Sequence, residues 1–320
     1  MFRLAHISDV HLGPLPEMSY RELVSKRLTG YLNWQRNRKK FLHDGVVDAI
    51  LADIRAHQPD HIAVTGDLVN LALDAELELA QHWLKLLGSP HDVSVVPGNH
   101  DAYVPGAFAR TCHLWQPWMM GDGQTHPVDR QTFPYLRVRG KVALIGVTSA
   151  RASAPFMATG YFKSQQATRL RAVLDATGKQ GLFRLIMIHH PPVREAVPPH
   201  KRLMGISRFQ RVVREHGAEM VIHGHSHLPS LFQISGKSGA SVPVLGVAAT
   251  GQAPGGRKPA AQWNEIMIDG KAGAWSINVN RRGFSGAASH VHEVARLELG
   301  VKGLATAPIE PIEIDNSASA

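Results

Sequence analysis

The sequence predicts a layered α/β fold whose functional site lies outside the ends of its strands. Three observations carry this. Short, strongly apolar runs recur along the chain, the pattern of strands covered on both faces. Amphipathic helical patterns lie between several of them, and strands alternating with helices imply layers. Five of the runs lead at once into a short motif of Asp, Asn and His, the placement of a site at strand ends in an α/β sheet.

The apolar runs are Leu4–Ile7, His61–Thr65, Val93–Val96, Val142–Val147, Phe183–Ile188 and Met220–Ile222. After the first, Asp44 can cap a helix carrying Val47, Ile50, Leu51 and Ile54. Asp74 begins a second helix, with Leu77, Ala80, Trp83, Leu84 and Leu87 on one side and Gly88 as a stop. Ser164 begins a third, with Leu170, Val173 and Leu174, and Gly178 as its stop. The C-terminal part reads differently: Val242–Val247, Gln262–Ile268 and Ala274–Val279 look like β-segments without intervening helices. From Val301 onward Pro, Ala, Ser and acidic residues offer little to bury, so 301–320 reads as a flexible tail.

Composition fits a soluble enzyme. A chain of 320 residues with an apolar fraction of 44% can bury a substantial core. Cys112 is the single cysteine, which excludes an intrachain disulfide and a cysteine-rich zinc finger and suits a reducing compartment. A motif Asp falls within ten residues of the start, leaving no room for an export signal, and no apolar stretch approaches the roughly 18 residues that span a bilayer. A cytoplasmic location is the expectation. The stretch at Gly255-Gly256 lacks the Lys-Ser/Thr of a phosphate-binding loop, and no Gly-x-Ser-x-Gly elbow supports a serine hydrolase.

The five motifs are Asp9-Val-His11, Gly66-Asp67, Gly98-Asn99-His100-Asp101, His189-His190 and Gly224-His225-Ser226-His227. If their strands share one sheet, Asp9, His11, Asp67, Asn99, His189, His225 and His227 gather at one edge as oxygen and imidazole donors, enough for two metal ions. Residues i and i+2 point the same way in extended chain, so His225 and His227 can address adjacent metals. Successive strand residues point oppositely, so only one of His189 and His190 should bind metal through its side chain.

In order and type these motifs resemble the calcineurin-like metallophosphoesterase superfamily, from Leu4 to Leu228. The resemblance implies a four-layer α/β/β/α sandwich over 1–300, with 242–300 completing the second sheet. It implies that Asp9, His11 and His227 hold one divalent metal, that Asn99, His189 and His225 hold the other, and that Asp67 bridges them. Pro191-Pro192 follows as in members where the first His, here His189, is the ligand. Donors of this type suit Mn, Fe or Zn. A bridging hydroxide is the expected nucleophile for phosphodiester hydrolysis. His100 would stabilise the phosphoryl oxygens or protonate the leaving oxygen, with Asp101 hydrogen-bonded to it to fix its orientation. Asn70, Tyr103 and Arg151 are further candidates for substrate contact, from their positions after the motif loops.

The segments Val64–Asn70, Glu76–Leu87 and Val96–Asp101 look most like the class III cyclic-nucleotide phosphodiesterase branch. That suggests a small phosphodiester substrate, such as a cyclic nucleotide or a glycerophosphodiester. One departure is an insert over 14–43. From Ser19 to His43 it holds seven Lys/Arg against one acid, +6 of the formal +9, interleaved with Leu28, Tyr31, Leu32 and Trp34. It reads as a helical cap that packs on the core or, over 19–40, meets an anionic membrane surface. The second function hypothesis is accordingly a membrane-associated phosphohydrolase of a phospholipid or lipid-linked pyrophosphate. Nucleic acid ranks last among partners, with no recognised module to support it. An inactive partner-binding scaffold is opposed by the complete ligand set.

Overall fold

A computed structural model describes residues 1–16, 26–27, 31, 45–286 and 289–300. Among the described residues the strands are β1 (Phe2–Ile7), β2 (His61–Val64), β3 (Val93–Val95), β4 (Tyr135–Arg139), β5 (Val142–Gly146), β6 (Gly160–Tyr161), β7 (Phe183–Met187), β8 (Leu203–Met204), β9 (Met220–His223), β10 (Leu231–Ser235), β11 (Ser241–Gly246), β12 (Gln262–Lys271), β13 (Ala274–Gly283) and β14 (His292–Gly300). The α-helices are α1 (Val46–His57), α2 (Asp74–Leu87), α3 (Ala107–Leu114), α4 (Gln116–Met119), α5 (Ser164–Lys179) and α6 (Ile206–His216). None of them is long and apolar enough to cross a membrane.

The strands form two six-stranded sheets, ordered β14-β13-β12-β1-β2-β3 and β10-β11-β9-β7-β5-β4, with a small β6-β8 pair beside them. Alternation explains why the strand runs are apolar throughout. In the second sheet Leu144, Leu185, Met187 and Ile222 belong to the core shared with the first sheet, among Leu4, Val64 and Ile266. Their neighbours Ile145, Ile186, Ile188 and Val221 turn to the other face and pack with Leu170 and Leu174 of α5 and Phe209 and Val213 of α6. Ile50, Ile54, Leu77 and Leu84 of α1 and α2 join the core of the first sheet. The result is the expected α/β sandwich built on two sheets with helices over them.

The C-terminal strands correct one expectation. They do not all complete the second sheet. β11 joins it beside β9, whereas β12 pairs antiparallel with β1, Leu4 opposite Ile266, and β13 and β14 follow outward in the first sheet. Without β12, β1 would be an edge strand with unpaired backbone groups next to the loop that carries Asp9.

Helix ends differ in detail. α1 is preceded by Gly45 in the left-handed region, φ 99°, and Asp44 lies outside the described residues. Gly178 does not stop α5, which runs to Lys179; a Cβ at Gly178 would press on the guanidinium of Arg184. The start of α2 is held by Glu76, whose carboxylate accepts the amides of Asn70, Leu71 and Leu73 at 2.8–3.0 Å. Of the basic insert, Pro14, Leu15, Pro16, Lys26, Arg27 and Tyr31 are described: Arg27 donates to the carbonyls of Leu71 and Ala72, and Tyr31 packs against the core. The helical form expected over 14–43 otherwise lies outside the described residues, as does the 301–320 tail.

Candidate active site

β1, β2, β3, β7 and β9 each end two to four residues before a candidate ligand, so the five motifs occupy loops along one rim of the sandwich. There the side chains converge in groups whose donor atoms lie within 4.8 Å of one another: Asp9 with His11 and His227, Asp67 with His189 and His225, and His11 with Asp67 and His100. His227 Nε2 is 3.1 Å and His11 Nε2 3.9 Å from Asp9 Oδ1. His189 Nε2 is 3.2 Å from Asp67 Oδ2 and also 3.2 Å from Asn99 Oδ1. All seven expected ligands are brought together, and His100 stands at the same spacing.

The histidines are aimed by backbone carbonyls. His11 Nδ1 meets Val69 O at 2.9 Å, His189 Nδ1 meets Thr65 O at 2.6 Å, and His225 Nε2 meets Lys201 O at 2.9 Å. A carbonyl only accepts, so each of these nitrogens keeps a proton and the other ring nitrogen is the one available as a ligand. The backbone is bent to the same end. Asp9, His11, Asp67, His225 and His227 have φ of 54°, 48°, 55°, 65° and 58°. Such left-handed residues cost on the order of 1–3 kcal/mol each and cluster where function demands them. Those φ values correct the reason given for His225 and His227: β9 ends at His223, and turns rather than alternation direct the two rings to separate groups. Glycine is required at two of these turns. A Cβ on Gly98 would collide with the Asp67 carboxylate, and one on Gly224 with the side chains of Ser8 and Asp9.

His189 and His190 separate cleanly. His190 lies within hydrogen-bonding distance of Ser149 Oγ through Nδ1, 2.8 Å, and of Ala158 O through Nε2, 3.1 Å. Both its nitrogens are used away from the carboxylates. His189→Gln is therefore expected to lose metal on dialysis that leaves His190→Gln loaded, with elemental analysis as the readout.

Asp101 corrects another expectation. Its carboxylate does not reach His100. It accepts the backbone amides of Asp67 and Gly98 through Oδ2, both at 2.8 Å, and of Leu68 and Val69 through Oδ1, at 2.9 and 3.3 Å. Four converging amides in a buried loop outcompete one imidazole for a carboxylate. His100 is instead tied through Nδ1 to Asn70 O, 2.5 Å, and its backbone amide donates to Asp67 Oδ1, 2.7 Å. Asp101→Ala would orphan four buried donors, so a stability loss of at least about 3 kcal/mol is expected in denaturant melts, together with disorder of the Asp67 loop.

The electrostatics show what the pocket demands. Burial acts to raise the Asp9 carboxyl, but the charges of His227 and His189 outweigh it and hold the group well below the usual carboxylate range. Burial likewise opposes charge on Asp67, and His189, then His100, hold its carboxyl down. Burial also opposes charge on His189, yet Asp67 and Asp9 carry that ring up to about 9. Burial, with His189 behind it, pushes His190 down to about 3. Two buried carboxylates thus draw positive charge to their midst. Carboxylate, amide and imidazole donors without thiolate fit a divalent transition metal in that role.

A cleft of about 240 Å³ opens over Asp67, Asn99 and His100. Tyr103 reaches it, its ring stacked on His100 with centroids 5.4 Å apart. Asn70 does not: its side chain donates to Leu12 O and its carbonyl holds His100. Arg151 does not line the cleft either; its guanidinium turns to Ala152 O and Met204 Sδ. Lining residues that the sequence did not reveal are Lys26, Phe156, Met157, His200, Lys201 and Lys258. Charge marked the insert that bears Lys26, but nothing in the pattern placed that residue in the cleft.

Comparison with known proteins agrees with this geometry. A sequence-family model described as calcineurin-like phosphoesterase matches residues 2–229. The glycerophosphodiester phosphodiesterase GpdQ of Enterobacter lignolyticus is 24% identical over 252 residues, 75% of this chain and 76% of that protein. A dimetal phosphatase from Danio rerio superposes with a TM-score of 0.59 at 15% identity, covering 94% of this chain and 99% of its own. A purple acid phosphatase from yellow lupin, Lupinus luteus, gives a TM-score of 0.51 at 12% identity, over 88% of this chain and 51% of that one. At these identities the two structures share the fold.

Proposed function

The chain belongs to the calcineurin-like phosphoesterase family, and from that premise we propose that it hydrolyses small phosphodiesters with two divalent metals, Mn, Fe or Zn. That it is a hydrolase of phosphoesters follows from the family; the diester and the metal pair are the finer reading. The observation that supports the pair is the convergence of two donor groups, one around Asp9 and one around Asp67, on one cleft. Asp9, His11 and His227 would hold one ion, Asn99, His189 and His225 the other, with Asp67 between them. Bound there, the ions would neutralise phosphoryl charge and acidify a water for in-line attack.

The chain's own residues do the rest. The Asn70 carbonyl fixes the proton on His100 Nδ1, so Nε2 is the position that gains or gives one. Protonated there, the ring can donate to a phosphoryl oxygen or to the departing alkoxide. Tyr103, stacked on the ring, keeps its plane. Lys26, whose Nζ lies 4.5 Å from the Tyr103 ring centroid, adds a cation to the cleft wall. Burial, with Arg151 behind it, brings that amine down to about 8.

A glycerophosphodiester or cyclic nucleotide is the leading substrate class, supported by the likeness to a glycerophosphodiester phosphodiesterase. The second reading is a phospholipid or lipid-linked pyrophosphate taken from an anionic membrane surface. The observation favouring it is that Lys26 of the basic insert lines the cleft. A hydrolysis screen with metal-reconstituted protein separates the two, run on cyclic nucleotides, glycerophosphodiesters, nucleoside pyrophosphates and lipid phosphates. Turnover of soluble diesters above the others is expected. Turnover of lipid phosphates alone would replace the first reading by the second.

A further inference from the structure

Among the described residues, eight large apolar side chains stand exposed, and two of them, Phe156 and Met157, line the cleft. They stand there together with Asp67 and His100. Phe156 is 83% exposed and sits at φ 62°. Both facts are unfavourable for the folded chain alone: the ring buries little, and a bulky residue resists the left-handed region. An apolar ring displayed at such cost points to something it meets from outside.

The loop that displays it is well braced. Ser153 Oγ donates to Met157 O at 2.5 Å, and Lys26 Nζ donates to Ser153 Oγ and Met157 O at 2.8 and 3.0 Å. The next residue, Ala158, donates its amide to His200 O at 2.9 Å, and its carbonyl lies 3.1 Å from His190 Nε2. His190 adjoins the candidate ligand His189, so the position of the lip is fixed relative to the donor groups. The surface is small: two side chains are far from the roughly 20–30 residues per side of a stable protein interface. Its continuity with the cleft fits one substituent of a small molecule.

We propose that Phe156 and Met157 form a subsite for an apolar substituent, aryl or acyl, of the phosphoester whose phosphoryl group lies at Asp67 and His100. This rests on the phosphoesterase reading and adds to it a selectivity for amphiphilic esters over wholly polar ones. Lys26 is the positioning residue that holds the lip.

Calorimetric binding of methylphosphonate, phenylphosphonate and hexylphosphonate to the metal-loaded full chain tests this without turnover. The phenyl or hexyl compound is expected to bind roughly tenfold tighter than the methyl one. Phe156→Asn tolerates the left-handed backbone and removes the ring. It should bring the ratio to within about twofold while leaving methylphosphonate unchanged. Preference for phenyl would assign an aryl group, preference for hexyl an acyl chain, and either supports the subsite. Equal affinities in the wild type would overturn it, as would a uniform loss in Phe156→Asn. An unchanged ratio in Phe156→Asn, with loss of self-association or of anionic-vesicle binding, would overturn it too by assigning the lip to a second copy or to a membrane. A chain that binds phosphonates with this ratio yet hydrolyses no phosphoester would leave the subsite standing and remove the proposed reaction.

Discussion

His100→Ala is expected to keep its metal and to lose about 10²–10⁴-fold in turnover of a diester with a poor leaving group. The ring's Nδ1 is committed to Asn70 O, so its contribution to the cleft is made through Nε2. The residue's other tie, its backbone amide to Asp67 Oδ1 at 2.7 Å, survives the substitution. The Asp67 carboxylate is therefore left in place while the acid or stabiliser is removed. A nitrophenyl diester, whose leaving group needs little protonation, should show a smaller loss. Because His100 also stands within 4.8 Å of the donor atoms of His11 and Asp67, metal analysis of the variant is decisive. If metal leaves with the ring, His100 is a ligand and the acid role is wrong.

Asp67→Asn is expected to remain folded, to lose at least one metal and to fall at least roughly a thousandfold in hydrolysis, some 4 kcal/mol of transition-state stabilisation. Asp67 is shared by two donor groups among the described residues: it lies with His189 and His225 in one and with His11 and His100 in the other, and His11 in turn belongs to the group of Asp9 and His227. Its carboxylate is nearly wholly buried, and an amide there halves the lone pairs and removes the charge that draws cations in. Circular dichroism separates loss of metal from loss of fold. Full occupancy and turnover in Asp67→Asn would mean that the groups do not share a bridge.

How much of this was legible in the sequence depends on how local each cause is. The inner strands are legible because both faces are covered: Val142–Gly146 and Phe183–Met187 are apolar at every position but Arg184 and Gly146. The edge strands β4, β10 and β14 carry Arg137, Gln233 and Glu298 among their apolar residues, so neither continuous apolarity nor strict alternation marks them. α6 bears Ile206, Phe209, Val212 and Val213 on one face, a helical signal that its many Arg residues obscure. The candidate donor residues were legible because each motif is short and lies within a few residues of its strand. What Asp101 does was not, since four amides from two loops meet only in three dimensions. The same holds for Lys26, which donates to Ser153 and Met157 across 127 and 131 residues of sequence with no shared pattern.

Metal stoichiometry tests the central claim most directly. The metal-free full chain would be titrated with Mn or Zn while bound metal and diester hydrolysis are followed together. Two equivalents bound per chain, with hydrolysis rising to a plateau only as the second is taken up, is the predicted result. Saturation at one equivalent with full activity, or undiminished activity in chelator with no metal bound, would contradict it.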